Sequence, residues 1–113
     1  MSELSTVMLI KALDGLSARA LATSQNIANA QSPGYRPVRV RFEAALAAAA
    51  SRGTAAVEAV QPRMEAEPTG PDAEVRLDQE MATAASTELR YAALIDLLNR
   101  QLQLRSLALS GSR

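Results

Sequence analysis

Asn26 and Asn29 stand three residues apart near the end of a helical pattern, so their amides share a face and can bond the turn backbone or a neighbouring chain. Ser32-Pro33-Gly34-Tyr35 follows at once. Pro33 lacks the N–H that a continuing helix needs and pushes Ser32 towards extended geometry, while Gly34 can take the positive φ of a type II turn. Asn26, Ile27, Ala28 and Asn29 together with Ser32, Pro33, Gly34 and Tyr35 therefore turn a helix into an arm. Bond-making chemistry is scarce elsewhere. The chain has no His and no Cys, which removes the commonest general base and metal ligand as well as any disulfide or thiolate site. Asp14 or Glu88 would remain as catalytic carboxylates, but a composition with 3% aromatic residues hardly supplies a pocket for them. Neither an enzyme nor a bound metal or cofactor is expected.

Arg36, Arg39 and Arg41 form a short basic run beside Tyr35 and Phe42. As a nucleic-acid patch, three arginines leave only a shallow electrostatic footprint, so a solvated or subunit-facing arm is the better reading. The whole chain agrees, because Lys+Arg and Asp+Glu both number 12 and no nucleic acid or anionic membrane is expected as the main partner. Acids concentrate instead at Glu58, Glu65, Glu67, Asp72, Glu74, Asp78 and Glu80.

The elements that must hold these residues follow from periodicity. In residues 1–32, Leu9, Leu13, Leu16, Ala20, Thr23, Ile27 and Ala30 alternate spacings of four and three, the stripe of a helix that packs on another. Gly15 within that helix costs about 1 kcal/mol relative to Ala, and marks a close backbone approach. Residues 33–50 read as the turn, an extended arm in which Val38, Val40 and Phe42 alternate with arginines, and one or two helical turns over Glu43–Ala50. Residues 51–74 hold Gly53, Pro62, Pro68, Gly70 and Pro71 and show neither apolar period, so they read as a flexible loop that orders only against partners. A second helix is expected over 75–113, with the stripe Met81, Ala84, Glu88, Tyr91, Ile95, Leu98, Leu102, Arg105 and Leu109. Leu94, Leu97, Leu104 and Leu107 add another apolar row, which calls for more than one neighbour. The expected class is all-α: two long terminal amphipathic helices forming a coiled coil, with a short arm and a flexible middle. Packing should fall to Leu9, Leu13, Leu16, Ala20 and Ile27 on the first helix, and to Met81, Tyr91, Ile95, Leu98 and Leu102 on the second.

Met1 to Lys11 carries Glu3 and no basic run or cleavage site, so it does not read as a secretory signal. No apolar run approaches the roughly 18 residues of a membrane span.

Asn26-Ile27-Ala28-Asn29 followed by Ser32-Pro33-Gly34-Tyr35 resembles the N-terminal motif N-N-I-A-N-x-x-T-P-G-Y of the bacterial flagellar rod, hook and hook-associated protein family. Gln25 stands for its first Asn and Ser32 for its Thr, both keeping the hydrogen-bonding type. Val75-Arg76-Leu77-Asp78-Gln79-Glu80, Glu88-Leu89-Arg90-Tyr91 and Leu97-Leu98-Asn99 look like the end of a proximal-rod member. Glu80-Met81 echoes the glutamate-methionine motif of other rod and hook proteins, but Thr87 to Tyr91 does not complete it.

The resemblance implies a structural subunit of the flagellar basal body, stacked with other rod subunits and copies of itself in the periplasmic drive shaft. It implies contact with the base adaptor and the type III export gate, and export without a cleaved signal peptide. Phe42 and Leu46 in Phe42-Glu43-Ala44-Ala45-Leu46 fit the short pattern that the family uses at the export gate, although Phe42 could equally anchor the arm. Another rod subunit of the family and a cytoplasmic coiled-coil adaptor stay open as alternatives, the latter requiring a soluble dimer. A membrane-surface helix would need a Lys-rich polar face that the Leu-rich half lacks.

Overall fold

The structure reported is a computed structural model that describes residues 2–70 and 73–111. Helix α1 spans Glu3–Ala28, strand β1 Val38–Val40, helix α2 Glu43–Ala50, helix α3 Thr54–Glu58, strand β2 Met64–Ala66 and helix α4 Leu77–Gly111. The chain is mostly helical and elongated, with extents of 64 × 27 × 14 Å.

Each boundary has a local cause. Ser2 caps α1 by accepting the Ser5 N–H at 3.1 Å, and Asn29 ends it with its own N–H on the Gln25 carbonyl. The type II turn forms as the residues require: Gly34 has φ 73°, and the Tyr35 N–H donates to the Ser32 carbonyl at 3.2 Å. Helix α4 has Asp78 and Glu80 in its first turn, where the positive end of the helix dipole favours acids. Its 35 residues span about 52 Å.

Helices α1 and α4 lie antiparallel along one another. Thr6 lines a cleft with Gln101 and Arg105, and Ser24 lines one with Ala84, so the start of α1 meets the far end of α4. On one flank of α1 sit β1, α2 and α3. The core lies between α1 and this layer and consists of Leu16, Ala22, Val40, Phe42, Leu46, Ala49 and Val57.

The structure corrects the all-α expectation, since β1 and β2 form an antiparallel sheet with Val38 opposite Ala66, Arg39 opposite Glu65 and Val40 opposite Met64. Residues 51–74 are likewise more than a loop. They supply α3, β2 and the fully buried Val57, and they order against their own chain. A single helical turn and a three-residue strand are too short to print a period, and their order comes from α1 and the arm. Lys11 Nζ, for example, donates to the Glu58 carbonyl at 3.0 Å, closing the C-terminus of α3. Pro71 and Asp72, which belonged to the expected loop, lie outside the described residues. No helix among the described residues is long and apolar enough to cross a membrane.

Candidate functional site

Asn26 lies in the last turn of α1 beneath the arm, and the amide uses its whole bonding capacity there. Its Nδ2 donates to the Val38 carbonyl at 2.9 Å and to Glu80 Oε2 at 3.1 Å. Its Oδ1 accepts from the Tyr35 hydroxyl and from the Val38 N–H, both at 2.8 Å. Asn26 is 0% exposed. Both N–H donors and both lone pairs of the amide oxygen are thus matched at a buried position, and each bond is worth more for its neighbours being made.

Glu80 enters from α4 and is 1% exposed. Burying a lone carboxylate costs several kcal/mol, which an opposite charge and hydrogen bonds must offset. Arg39 on β1 supplies the charge, donating through Nη1 to Glu80 Oε1, and Asn26 holds the other oxygen. Arg39 Nε also lies 3.5 Å from Glu67, whose carboxylate receives the Arg41 guanidinium as well. Arg36 donates twice to the Glu67 carbonyl, with Nε at 2.7 Å and Nη2. The Glu67 N–H donates back to the Pro37 carbonyl at 2.8 Å. Among the described residues no buried side-chain nitrogen or oxygen lacks a partner. Burial pushes the Tyr35 phenol up from its ordinary pKa, the Glu80 charge adds to the rise, and Arg39 opposes it.

Asn29 does a separate job. Its Nδ2 donates to the Gln25 carbonyl at 2.9 Å and its Oδ1 accepts from the Ser32 hydroxyl at 3.2 Å, so it holds the turn. Both asparagines therefore bond within their own chain. Ile27 is half-buried, whereas Ala28, Ser32, Pro33 and Gly34 are exposed.

The basic run is no free patch: Arg36, Arg39 and Arg41 are each tied to Glu67 or Glu80. No group of three or more residues of metal-ligating type is placed to hold a metal ion among the described residues. Asp14 and Glu88 are exposed on separate helices.

No family model and no curated protein matches this chain.

Phe42 and Leu46, read as an export motif, are 4% and 7% exposed in the folded chain. The Phe42 ring lies against the backbone of Gly15, where an added Cβ would come within 2.5 Å of its edge. The Arg19 guanidinium stacks 5.0 Å from the ring centroid. Arg19 also forks onto Glu43, both bonds 2.7 Å, and donates to the Val40 carbonyl at 2.8 Å. That fork holds the Glu43 carboxyl down at a pKa of about 2.

Of the expected packing positions, Leu9, Leu13 and Leu16 are buried, while Ala20 is exposed. On α4, Ile95 and Leu98 are half-buried, and Met81, Tyr91 and Leu102 are 59%, 39% and 48% exposed. The face of α4 turned to α1 carries Glu80, Thr87 and Leu94, seven residues apart. A search for apolar periods passes over that row because two of its members are polar. Glu80, Glu67 and Arg19 were missed for the same reason: each reads alone as a surface charge, and only the partner shows otherwise. The one local signal was the acidic stretch through Glu67 and Glu80 answering the basic run from Arg36 to Arg41.

Proposed function

We propose that the chain is a structural subunit of the bacterial flagellar basal-body rod, of the proximal-rod type represented by FlgB, and that it is required for motility. The observation that carries this reading is Asn26. The motif residue is the hub that joins helix, arm and α4, which is a reason for the motif to have its form in a protein whose work is to hold an angle. In this role α1 and α4 make a coiled-coil stem, and the apolar side chains left open along it, such as Ile10, Leu21, Leu89 and Leu104, are covered by neighbouring subunits. Those neighbours are copies of the same chain, other rod subunits and the adaptor at the base. Head-to-tail contacts between them give a helical shaft instead of a closed ring. The role is mechanical, with no catalysis and no cofactor.

Delivery to the periplasmic rod by the type III export gate, without a cleaved signal, accords with a folded state that hides Phe42 and Leu46. The gate reads them before folding, and the core takes them afterwards. Another rod subunit of the family, or a cytoplasmic coiled-coil adaptor, is the alternative. Cell fractionation separates them. Co-purification with intact basal bodies, at the base of the rod, supports the proximal-rod reading; recovery from the cytosol alone supports the adaptor.

A further inference from the structure

Helix α4 presents two rows, and the chain itself covers one of them more fully than the other. Glu80, Thr87 and Leu94 face α1. The flank beyond that row faces α2 across an open groove of about 370 Å³, lined by Met8, Phe42, Leu46, Arg90 and Leu94. The other flank is only partly covered by α1: Ile95 and Leu98 are half-buried, whereas Tyr91 and Leu102 are 39% and 48% exposed. It carries Glu88, Tyr91, Ile95, Leu98, Leu102 and Arg105, at successive spacings of three, four, three, four and three. Glu88 and Arg105 are exposed, and neither has an ion-pair partner among the described residues.

That spacing reads the same from both ends, and so does its chemistry with charge reversed. Laid antiparallel on itself, the row sets Glu88 opposite Arg105, Tyr91 opposite Leu102 and Ile95 opposite Leu98. Then the order repeats in reverse. Antiparallel coiled coils build their layers by this alternation, in which a position four residues before the next meets one three residues before it. The two opposite charges stand about 26 Å apart and bracket an apolar stretch about 17 Å long. Small residues on the adjoining face of α1, Ser17, Ala20 and Ser24, line a shallow groove with Glu88 and Tyr91 and leave room for a second helix.

We infer that α4 of one copy pairs antiparallel with α4 of a second copy, with Glu88 of each opposite Arg105 of the other. The partner is a second copy because the charge complement of this row is the row itself. The contact is isologous and closes at two chains, so it covers the row until other subunits displace it. It does not rest on the rod reading: the pairing follows from α4 alone, and a chain that co-purifies with basal bodies can lack it.

The test uses the full chain, which has no native cysteine to interfere. Sedimentation equilibrium should show a reversible monomer–dimer transition. Glu88→Arg alone, or Arg105→Glu alone, should weaken dimerisation about tenfold, and the two together should restore it. Far-UV circular dichroism checks that each variant keeps its helices. Mixing Tyr91→Cys with Leu102→Cys should give a 91–102 disulfide in preference to either homodisulfide. A chain that stays monomeric at every concentration overturns the inference. So does a double reversal that fails to restore the dimer, or a preference for the 91–91 disulfide, which reports parallel chains.

Discussion

Asn26 Nδ2 donates to Glu80 Oε2 at 3.1 Å across 54 residues of sequence, and the bond sets the rotation of α4 about its own axis. Glu80 must face α1 to meet the amide, so Thr87 and Leu94 follow it round. Met81, Leu89, Leu102, Leu104, Leu107 and Leu109 are thereby left exposed.

Asn26→Ala should cost on the order of 3 kcal/mol, because it strands the Val38 N–H and carbonyl, the Tyr35 hydroxyl and a buried Glu80 oxygen together. Asn26→Asp keeps the shape but sets a second carboxylate against Glu80. Its deficit should be larger at neutral pH than in acid, where protonation removes the repulsion. Urea denaturation at both pH values measures this; equal deficits would remove Glu80 from the explanation.

Gly15→Ala separates helix propensity from packing. Propensity alone favours Ala by about 1 kcal/mol. Contact with the buried Phe42 ring predicts the opposite sign, a loss of about 1–3 kcal/mol. A thermal melt decides the sign, and Phe42→Leu in the same chain should recover part of the loss.

The Glu43–Arg19 fork predicts an acid limb in stability. Glu43 has its pKa lowered from 4.5 to about 2 in the folded chain, so its contribution is present above pH 4.5 and is lost as pH falls towards 2. Its side chain is 54% exposed, so the contribution is under about 1 kcal/mol. Glu43→Gln should flatten that part of the melting-temperature profile and leave the neutral side lower by the same amount.

Phe42→Ala should lower stability by about 3 kcal/mol through the cavity it leaves. If Phe42 also serves the export gate, secretion should fall further than in Leu16→Ala, which empties a neighbouring part of the same core. Equal secretion of the two variants assigns Phe42 to packing alone.

Leu98→Asp places an unpaired charge on a half-buried position of α4 and, in the rod role proposed, should block incorporation into rods. Basal bodies isolated from cells carrying that variant would lack the subunit. Normal rods would count against α4 as the assembly surface.

What the sequence determined by itself is local. Pro33 and Gly34 end α1 and make the turn because one forbids a backbone donor and the other admits a positive φ; neither property needs a partner. Helix α2 is legible as an alanine-rich run over Glu43–Ala50, although it is too short to hold without the core, and the leucines of α1 announce its buried side by spacing. The tertiary structure decided the rest. Whether Glu80 belongs to the surface or the seam depends on Arg39 and Asn26, distant in sequence. Whether residues 64–66 are loop or strand depends on the carbonyls and N–H groups of 38–40. Such choices rest on buried electrostatics, where a charge is costly alone and stabilising when matched, and the match exists only once the chain has brought α1, the arm and α4 together.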